Sequence, residues 1–359
     1  MASTWIKGLG TLAVLGAAGF GAFLFITAPE RQDPAVWANL GEPDLTHGRE
    51  VFFAGGCASC HAPAGATGDA RLVLSGGAPL KSDFGTFHAP NISSDPEAGI
   101  GAWTLAEFGD AMTRGVGRDG EHLYPSFPYG SYARMTPEDI NDLYGFMKTL
   151  PASDAVAPAH ELGFPFNQRI VLGGWKFLYY SDAPRVELAD ASDMVKRGQY
   201  LVEGPGHCGE CHTPRNALGG FLAGQWLAGG PNPEGEGSIP NITPGSRSMG
   251  SWSEGDIVNY LETGFTPDYD SVGGSMVEVQ KNMAELPAAD REAIAAYLGR
   301  IGIRVRVVVN EWGTHLDKII NRRTGEMFYL GWGPALEAQG TIAELFRPER
   351  TYSGFGTPA

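Results

Sequence analysis

The sequence is poor in cysteine, with only four in 359 residues. These four form two C-x-x-C pairs, one near residue 57 and the other about 150 residues later. A disulfide scaffold would spread its cysteines through a short chain. A zinc site built from two such knuckles has about 15–20 residues between them. The spacing therefore argues against both a disulfide framework and a zinc site.

Basic residues are also scarce, since 26 Lys and Arg face 41 Asp and Glu, giving a net charge of −15. An acidic chain repels phosphate backbones, so nucleic acid is not an expected partner. No catalytic acid–base set is evident either. Hydrophobic residues make up 43% of the chain, which is enough for buried cores.

A long uncharged run occurs near the N-terminus, from Gly8 to Ala28, and its 21 residues match the about 20 that a membrane-spanning helix needs. Lys7 precedes it, which favours the N-terminus inside and the remainder outside. We therefore predict a single-pass anchor over residues 1–33 in the inner (cytoplasmic) membrane, with the rest of the chain in the periplasm. The alternative is a cleaved signal peptide, whose apolar core is shorter, about 7–15 residues.

Each C-x-x-C pair is followed directly by histidine. The motifs are Cys57-Ala58-Ser59-Cys60-His61 and Cys208-Gly209-Glu210-Cys211-His212. The C-x-x-C-H pattern is typical of c-type haem attachment, in which both thiols add to the haem vinyl groups and the histidine binds the iron. The sequence therefore predicts two covalently attached haem c groups, with His61 and His212 as iron ligands.

The chain repeats itself around these motifs. Pro-Asn-Ile-Ser/Thr begins at residue 90 and again at 240, and Gly-x-Trp-Thr/Ser begins at 101 and again at 250. Thr104 begins a helix with a capping-box pattern, and Ser253 begins the matching helix in the second copy. Each copy closes with a further helix, one starting at Thr136-Pro137 and the other at Pro287, the latter ending at Gly299. An internal duplication of two small helical haem domains follows.

The far side of each iron needs a second ligand, and methionine is usual in electron carriers. In the second copy Met276 lies in a Gly-rich loop 24 residues after Trp252, with Met283 as a rival. The same offset in the first copy reaches Phe127, which cannot bind iron. Met135 in a loop before the closing helix is our choice for the first iron. The alternatives are an open iron or ligation by Met112, Met147 or His122.

Residues 40–300 resemble the cytochrome c subunits of membrane-bound alcohol, aldehyde and sugar dehydrogenases, and more closely a diheme branch of that group. The resemblance is carried by Asn91-Ile92-Ser93, by Gly99 to Trp103, by Arg118 to Pro125 and by Gly206 to Arg215. It implies tandem class I cytochrome c domains in a mainly α fold. In the diheme branch, phenylalanine at the Phe127 position goes with methionine at the Met135 position. Arg215 is a candidate donor to a haem propionate, because arginine pairs with carboxylates.

The domain organisation expected from these patterns has five parts: an anchor (1–33), cytochrome c domain 1 (40–151), a connector (152–190), cytochrome c domain 2 (191–302) and a C-terminal extension (303–359). The extension is similar to a fragment of the solute-binding proteins of peptide ABC transporters. A short α/β-like structure is expected there, and no peptide binding is inferred from so small a fragment.

Three functions are compatible with the sequence. The favoured one is electron transfer by a membrane-anchored diheme cytochrome, from a dehydrogenase or other respiratory donor to a cytochrome complex or terminal oxidase. The chain would then be a non-catalytic carrier or the electron-transfer subunit of an oxidoreductase. A peroxidase-like haem enzyme, or a small-ligand binder, would use an open first haem. A solute-binding protein is supported by the C-terminal extension alone.

Overall fold

The computed structural model describes residues 2–232, 237–247 and 249–301, all within the first of two units, Met1–Ile303. The secondary structure is mainly helical, as predicted. The α-helices are α1 Ala2–Ile26, α2 Leu45–Ala54, α3 Cys57–His61, α4 Leu105–Arg114, α5 Tyr129–Tyr132, α6 Pro137–Lys148, α7 Ile170–Tyr179, α8 Asp193–Glu203, α9 Gly209–His212, α10 Glu254–Thr263, α11 Met276–Met283 and α12 Ala288–Leu298. Short 3-10 helices lie at Pro34–Trp37, Gly68–Leu72 and Ala223–Gln225.

The predicted duplication is visible in the order of the helices. Helices α2 to α6 recur as α8 to α12, and in each copy the first helix packs against the last. Each crossing depends on a glycine. A Cβ at Gly48 would overlap the carbonyl oxygen of Asp142, and one at Gly198 would overlap that of Ala293. Both crossings are therefore too close for any side chain at these two positions.

The helix boundaries follow the local signals in the sequence. The predicted capping box forms between Thr104 and Glu107, and the structure shows a second one between Ser253 and Asp256. Each of these helices ends at a glycine in the left-handed conformation, with φ of 58° at Gly115 and 81° at Gly264. The closing helices α6 and α12 begin where predicted, after Thr136 and Pro287, and α12 ends at Gly299 as predicted.

Strands contribute little to the fold. Strands β1 Pro79–Ser82, β2 Gly85–His88 and β3 Glu161–Leu162 form an antiparallel sheet in that order, and β4 Gly230–Pro231 pairs with β5 Ser238–Ile239. Strand β3 belongs to the connector. The connector also contains α7, whose Lys176 Nζ donates to the carbonyl oxygens of Arg114 and Gly115, while Trp175 Nε1 donates to that of Leu218 at 2.9 Å. The connector thus contacts both haem domains.

Within the residues that the structure describes, no helix combines the length and the apolar character required to cross a bilayer. The anchor predicted for residues 1–33 therefore stays a prediction. The C-terminal extension, 303–359, lies outside the described residues. Its resemblance to a solute-binding fragment therefore stays a prediction.

Candidate functional site

Both attachment motifs lie on single helical turns. Helix α3 contains the first motif, and α9 contains the last four residues of the second, so each histidine lies one turn beyond the first cysteine of its motif. The residue before the first cysteine is left-handed in both copies, with φ of 58° at Gly56 and 37° at His207. Glycine accepts this conformation readily, whereas histidine adopts it only when its surroundings hold it there.

Each motif histidine is oriented by a proline carbonyl. Nδ1 of His61 lies 2.7 Å from the carbonyl oxygen of Pro90, and Nδ1 of His212 lies 2.8 Å from that of Pro240. A carbonyl only accepts hydrogen bonds, so Nδ1 carries the proton and the lone pair lies on Nε2. Burial lowers the pKa of both histidines, which favours the neutral imidazole that an iron ligand must be.

The repeated Pro-Asn-Ile-Ser/Thr phrase explains how the carbonyl is positioned. Asn91 Oδ1 accepts from the backbone N–H of Ser93 at 2.9 Å, which closes a local turn. The backbone N–H of Ile92 donates to the carbonyl oxygen of Leu74 at 3.0 Å. The second copy repeats both bonds, with Asn241 and Ile242 in the same roles. The repeated Pro-Asn-Ile-Ser/Thr segment therefore holds the proline carbonyl in position, and this carbonyl in turn orients the histidine ring.

These arrangements fit two haem c groups. In each copy two cysteines and one histidine share a helical turn, and the hydrogen bond from Nδ1 to the proline carbonyl leaves Nε2 available to iron. A hydrogen bond from Nδ1 to a carbonyl oxygen is a usual way of setting the orientation of a metal-ligating histidine. Cys57, Cys60 and His61 would hold one haem, and Cys208, Cys211 and His212 the other.

The two motifs lie where the two haem domains contact each other, and the contacts are reciprocal. Asn282 Nδ2, in α11, donates to Ser59 Oγ in the first motif at 2.8 Å. Reciprocally, Ser131 Oγ, in α5, donates to Glu210 Oε1 in the second motif at 2.6 Å. Helices α5 and α11 are equivalent in the two copies, so each domain bonds the attachment turn of the other.

A shared acceptor lies at the same interface. The carbonyl oxygen of Gly55, two residues before Cys57, accepts from His207 Nε2 at 3.2 Å and from Tyr132 Oη at 3.3 Å. The rings of Tyr132 and His207 meet edge to face at 5.6 Å. His207 is thus a bridge between the domains, a role that the sequence alone does not predict. The sequence feature that could have pointed to this role is the position of His207 directly before Cys208, where the first copy has Gly56.

The candidate methionine ligands differ in their surroundings. Met276 is the first residue of α11 and is half-buried against the core. Met135 is buried between α5 and α6, and its Cγ lies 3.8 Å from where a Cβ at Gly204 would stand, four residues before the second motif. Ligation by either methionine stays a prediction.

The alternatives to these ligands have other environments. Met112, Met147 and Met283 are buried core residues. His122 Nε2 donates to the carbonyl oxygen of Thr27 at 2.9 Å, which gives its ring a structural role. Arg215 pairs with Glu210 and donates to the carbonyl oxygen of Gly219, so its predicted role toward a propionate remains a prediction.

Comparisons with known proteins agree with this geometry. The cytochrome c family model matches residues 45–151. A diheme cytochrome c-type protein of Cereibacter sphaeroides is 54% identical over 299 residues, which is 82% of this chain and 96% of the relative. The fructose dehydrogenase cytochrome subunit of Gluconobacter japonicus is 37% identical and covers 73% of this chain. A nicotinate dehydrogenase subunit of Pseudomonas putida is 36% identical and covers 84% of this chain. The chain spans 53% and 25% of the lengths of these two dehydrogenase subunits.

Proposed function

Because this chain belongs to the family of diheme c-type cytochromes, whose function is electron transfer, we propose that it relays electrons from a dehydrogenase through its two haems to a downstream acceptor. When bound, each haem supplies a one-electron redox centre. The chain's own residues attach that centre, orient its axial histidine and set the spacing of the two sites.

The observation that carries the proposal is the reciprocal bonding of the attachment turns. Ser59 and Glu210 are each bonded to the opposite domain, and Gly55 accepts a hydrogen bond from His207. These contacts support an internal relay, because they hold the residues that attach one haem beside those that attach the other.

The donor side of the proposal rests on relatives. Two of them are named as subunits of a fructose dehydrogenase and a nicotinate dehydrogenase. By analogy, the donor proposed for this chain is a dehydrogenase that passes on single electrons. A respiratory cytochrome complex or terminal oxidase is the proposed acceptor.

A membrane location is the second part of the proposal. What supports this part is the sequence, whose uncharged run from Gly8 to Ala28 has 21 residues, together with the exposure of Phe25 and Ile26 at its end; the described helices do not by themselves meet the requirements for a membrane span. We place α1 in the inner membrane and the haem domains in the periplasm, where covalent haem attachment by C-x-x-C-H motifs is expected.

Stopped-flow spectroscopy of the full-length holoprotein tests the relay. Mixing the oxidised protein with a substrate-reduced dehydrogenase should reduce both haems, and later addition of an oxidised acceptor cytochrome should reoxidise both. Heat-inactivated dehydrogenase with the same substrate is the control. Reduction of one haem alone, with the other isolated from donor and acceptor, would contradict an internal relay.

An open first haem is the alternative, because Phe127 stands where a methionine ligand would be. Phe127 packs against Tyr132 with ring centroids 5.6 Å apart. Carbon monoxide added to the reduced holoprotein distinguishes the two functions. Rapid binding at one haem would favour the ligand-binding alternative, whereas a closed relay would leave both spectra unchanged.

A further inference from the structure

The connector helix α7 has an apolar face turned to solvent. Ile170, Phe177 and Leu178 are spaced at i, i+7 and i+8, which places them on one side of the helix. Phe177 is 69% exposed and Leu178 63% exposed. Phe164 and Phe166, just before the helix, are exposed as well. We call these five side chains the connector patch.

The helix that carries the connector patch is packed against the protein on its other side. Leu172, on the opposite side of α7, is buried in the protein, and Gly173, on the side of Ile170 and Phe177, is buried against Thr27. The helix's cationic groups also point away from the patch. Lys176 Nζ bonds to backbone carbonyls of the first domain, and Arg169, the residue before the helix, donates to the carbonyl oxygen of His122 at 2.7 Å. The outward face therefore consists of uncharged side chains on a fixed helix.

The connector patch continues into α1. Helix α7 touches the end of α1, and Gly173 meets Thr27, the residue after α1, in a contact that leaves no room for a Cβ. Beside it, a Cβ at Gly174 would stand 3.3 Å from the ring of Phe23. The end of α1 exposes Phe25 and Ile26. The exposed apolar side chains of the two helices thus form neighbouring surfaces.

We propose that the connector patch lies on the bilayer surface, beside the anchor, so that α7 is an interfacial helix. This inference rests on the proposed membrane location of α1. An exposed apolar area of this extent marks an interaction site. Lipid is favoured because the patch is uncharged and adjoins the proposed anchor.

A second membrane contact would orient both haem domains. Helix α7 bonds to Arg114 and Gly115 in the first domain and to Leu218 in the second. A single spanning helix leaves rotation about its axis open. Contact along α7 as well would fix which side of the haem pair faces the membrane, and so which side remains for soluble partners.

Photolabelling of the full-length holoprotein in phosphatidylcholine–phosphatidylglycerol vesicles tests the inference. A diazirine carried on the lipid acyl chain labels residues that contact lipid, and peptide mass spectrometry locates them. We expect label in residues 164–178 as well as in residues 12–26. Val156 and Tyr269, exposed at 88% and 91% elsewhere, are internal controls that should stay unlabelled.

The outcomes separate the two proposals. Label in 12–26 without label in 164–178 would overturn the inference and leave the anchor standing, and it would favour a protein partner for the patch. Absence of label from both segments would overturn the membrane location itself. Label at Val156 and Tyr269 equal to that in 164–178 would show non-specific adsorption and also overturn the inference.

The double variant Phe177→Ser, Leu178→Ser provides a second test. Loss of two large apolar side chains should lower the equilibrium constant for contact between the patch and lipid by about tenfold or more. The amount of label in 164–178 should fall accordingly. Both side chains are exposed, so the haem spectrum should not change. Tyr269→Ser is the matched control. Undiminished label in 164–178 of the double variant would contradict a contact through this face.

Discussion

Two backbone carbonyls determine which ring nitrogen of each motif histidine carries the proton. The carbonyl oxygens of Pro90 and Pro240 accept from Nδ1 of His61 and His212, so both rings present Nε2 to the iron. The same bond holds the ring plane, because the carbonyl is itself fixed by the asparagine turn that follows. The iron-facing side of each domain is thus set by residues about 30 positions after the histidine.

The methionine ligands can be tested by substitution. Near-infrared magnetic circular dichroism of the oxidised holoprotein distinguishes histidine–methionine haem from other ligation. We expect Met276→Ala to remove that signature from the second haem and Met135→Ala from the first. Met147→Ala is the control, because this buried methionine should cost about 2–5 kcal/mol of stability without altering ligation. A wild-type spectrum for Met135→Ala would show that our first ligand is wrong.

His47 should make stability depend on pH. Burial opposes its charged form, but the hydrogen bond from Nδ1 to Asp142 and the nearby carboxylate of Asp139 outweigh this effect and raise its pKa. A raised pKa stabilises the folded state below the unfolded value of about 6.5, and this contribution is lost as pH rises through the folded value.

Chemical denaturation of wild type and His47→Gln measures this contribution. The stability difference should be largest below about pH 6 and should shrink at alkaline pH. His160→Gln is the control of opposite sign, because burial lowers the pKa of His160, so that acid should weaken the wild type relative to this variant. A His47→Gln difference that grows with pH would contradict the assignment.

At the level of elements, the α5–α6 turn is tied to α8 by a buried ion pair. Arg134 Nε lies 3.8 Å from Glu203 Oε2, and both side chains are almost fully buried. Glu203 also accepts from Tyr297 Oη at 2.6 Å and from the backbone N–H of Arg185 at 2.7 Å. One carboxylate thus joins the first domain, the connector and α12.

Removal of that carboxylate should be costly. Glu203→Ala removes the buried carboxylate beside Arg134 and leaves that guanidinium only its backbone carbonyl acceptors, so we expect a loss of about 3–5 kcal/mol in the free energy of unfolding. Glu285→Ala breaks the exposed cross-domain pair between Arg49 and Glu285 and should cost about 1 kcal/mol or less. Equal losses in urea denaturation would mean that burial does not strengthen the first pair.

At the level of the whole molecule, sequence repeats predict the duplication and several helix ends, because capping and periodicity are local. The domain interface is beyond such reasoning. Asn282 and Ser59 are 223 residues apart, and Ser131 and Glu210 are 79 apart, and neither pair has a local signature. Their contacts depend on how two complete domains dock. The Pro-Asn-Ile phrase is evident in the sequence, but its role emerges only with the position of the histidine.

The interface should control how fast the two haems exchange electrons. The double variant Ser131→Ala, Asn282→Ala removes both reciprocal hydrogen bonds, at about 1 kcal/mol each, and loosens the spacing of the attachment turns. Electron exchange between the haems of the half-reduced protein, measured by flash photolysis, should be slower than in wild type. The ligation spectra of both haems should stay as in wild type. Tyr144→Phe, which removes a bond within the first domain from Tyr144 Oη to the carbonyl oxygen of Trp103, should leave the rate unchanged. Slowing of the control to the same extent would mean that general stability, rather than the docking of the two attachment turns, sets the rate.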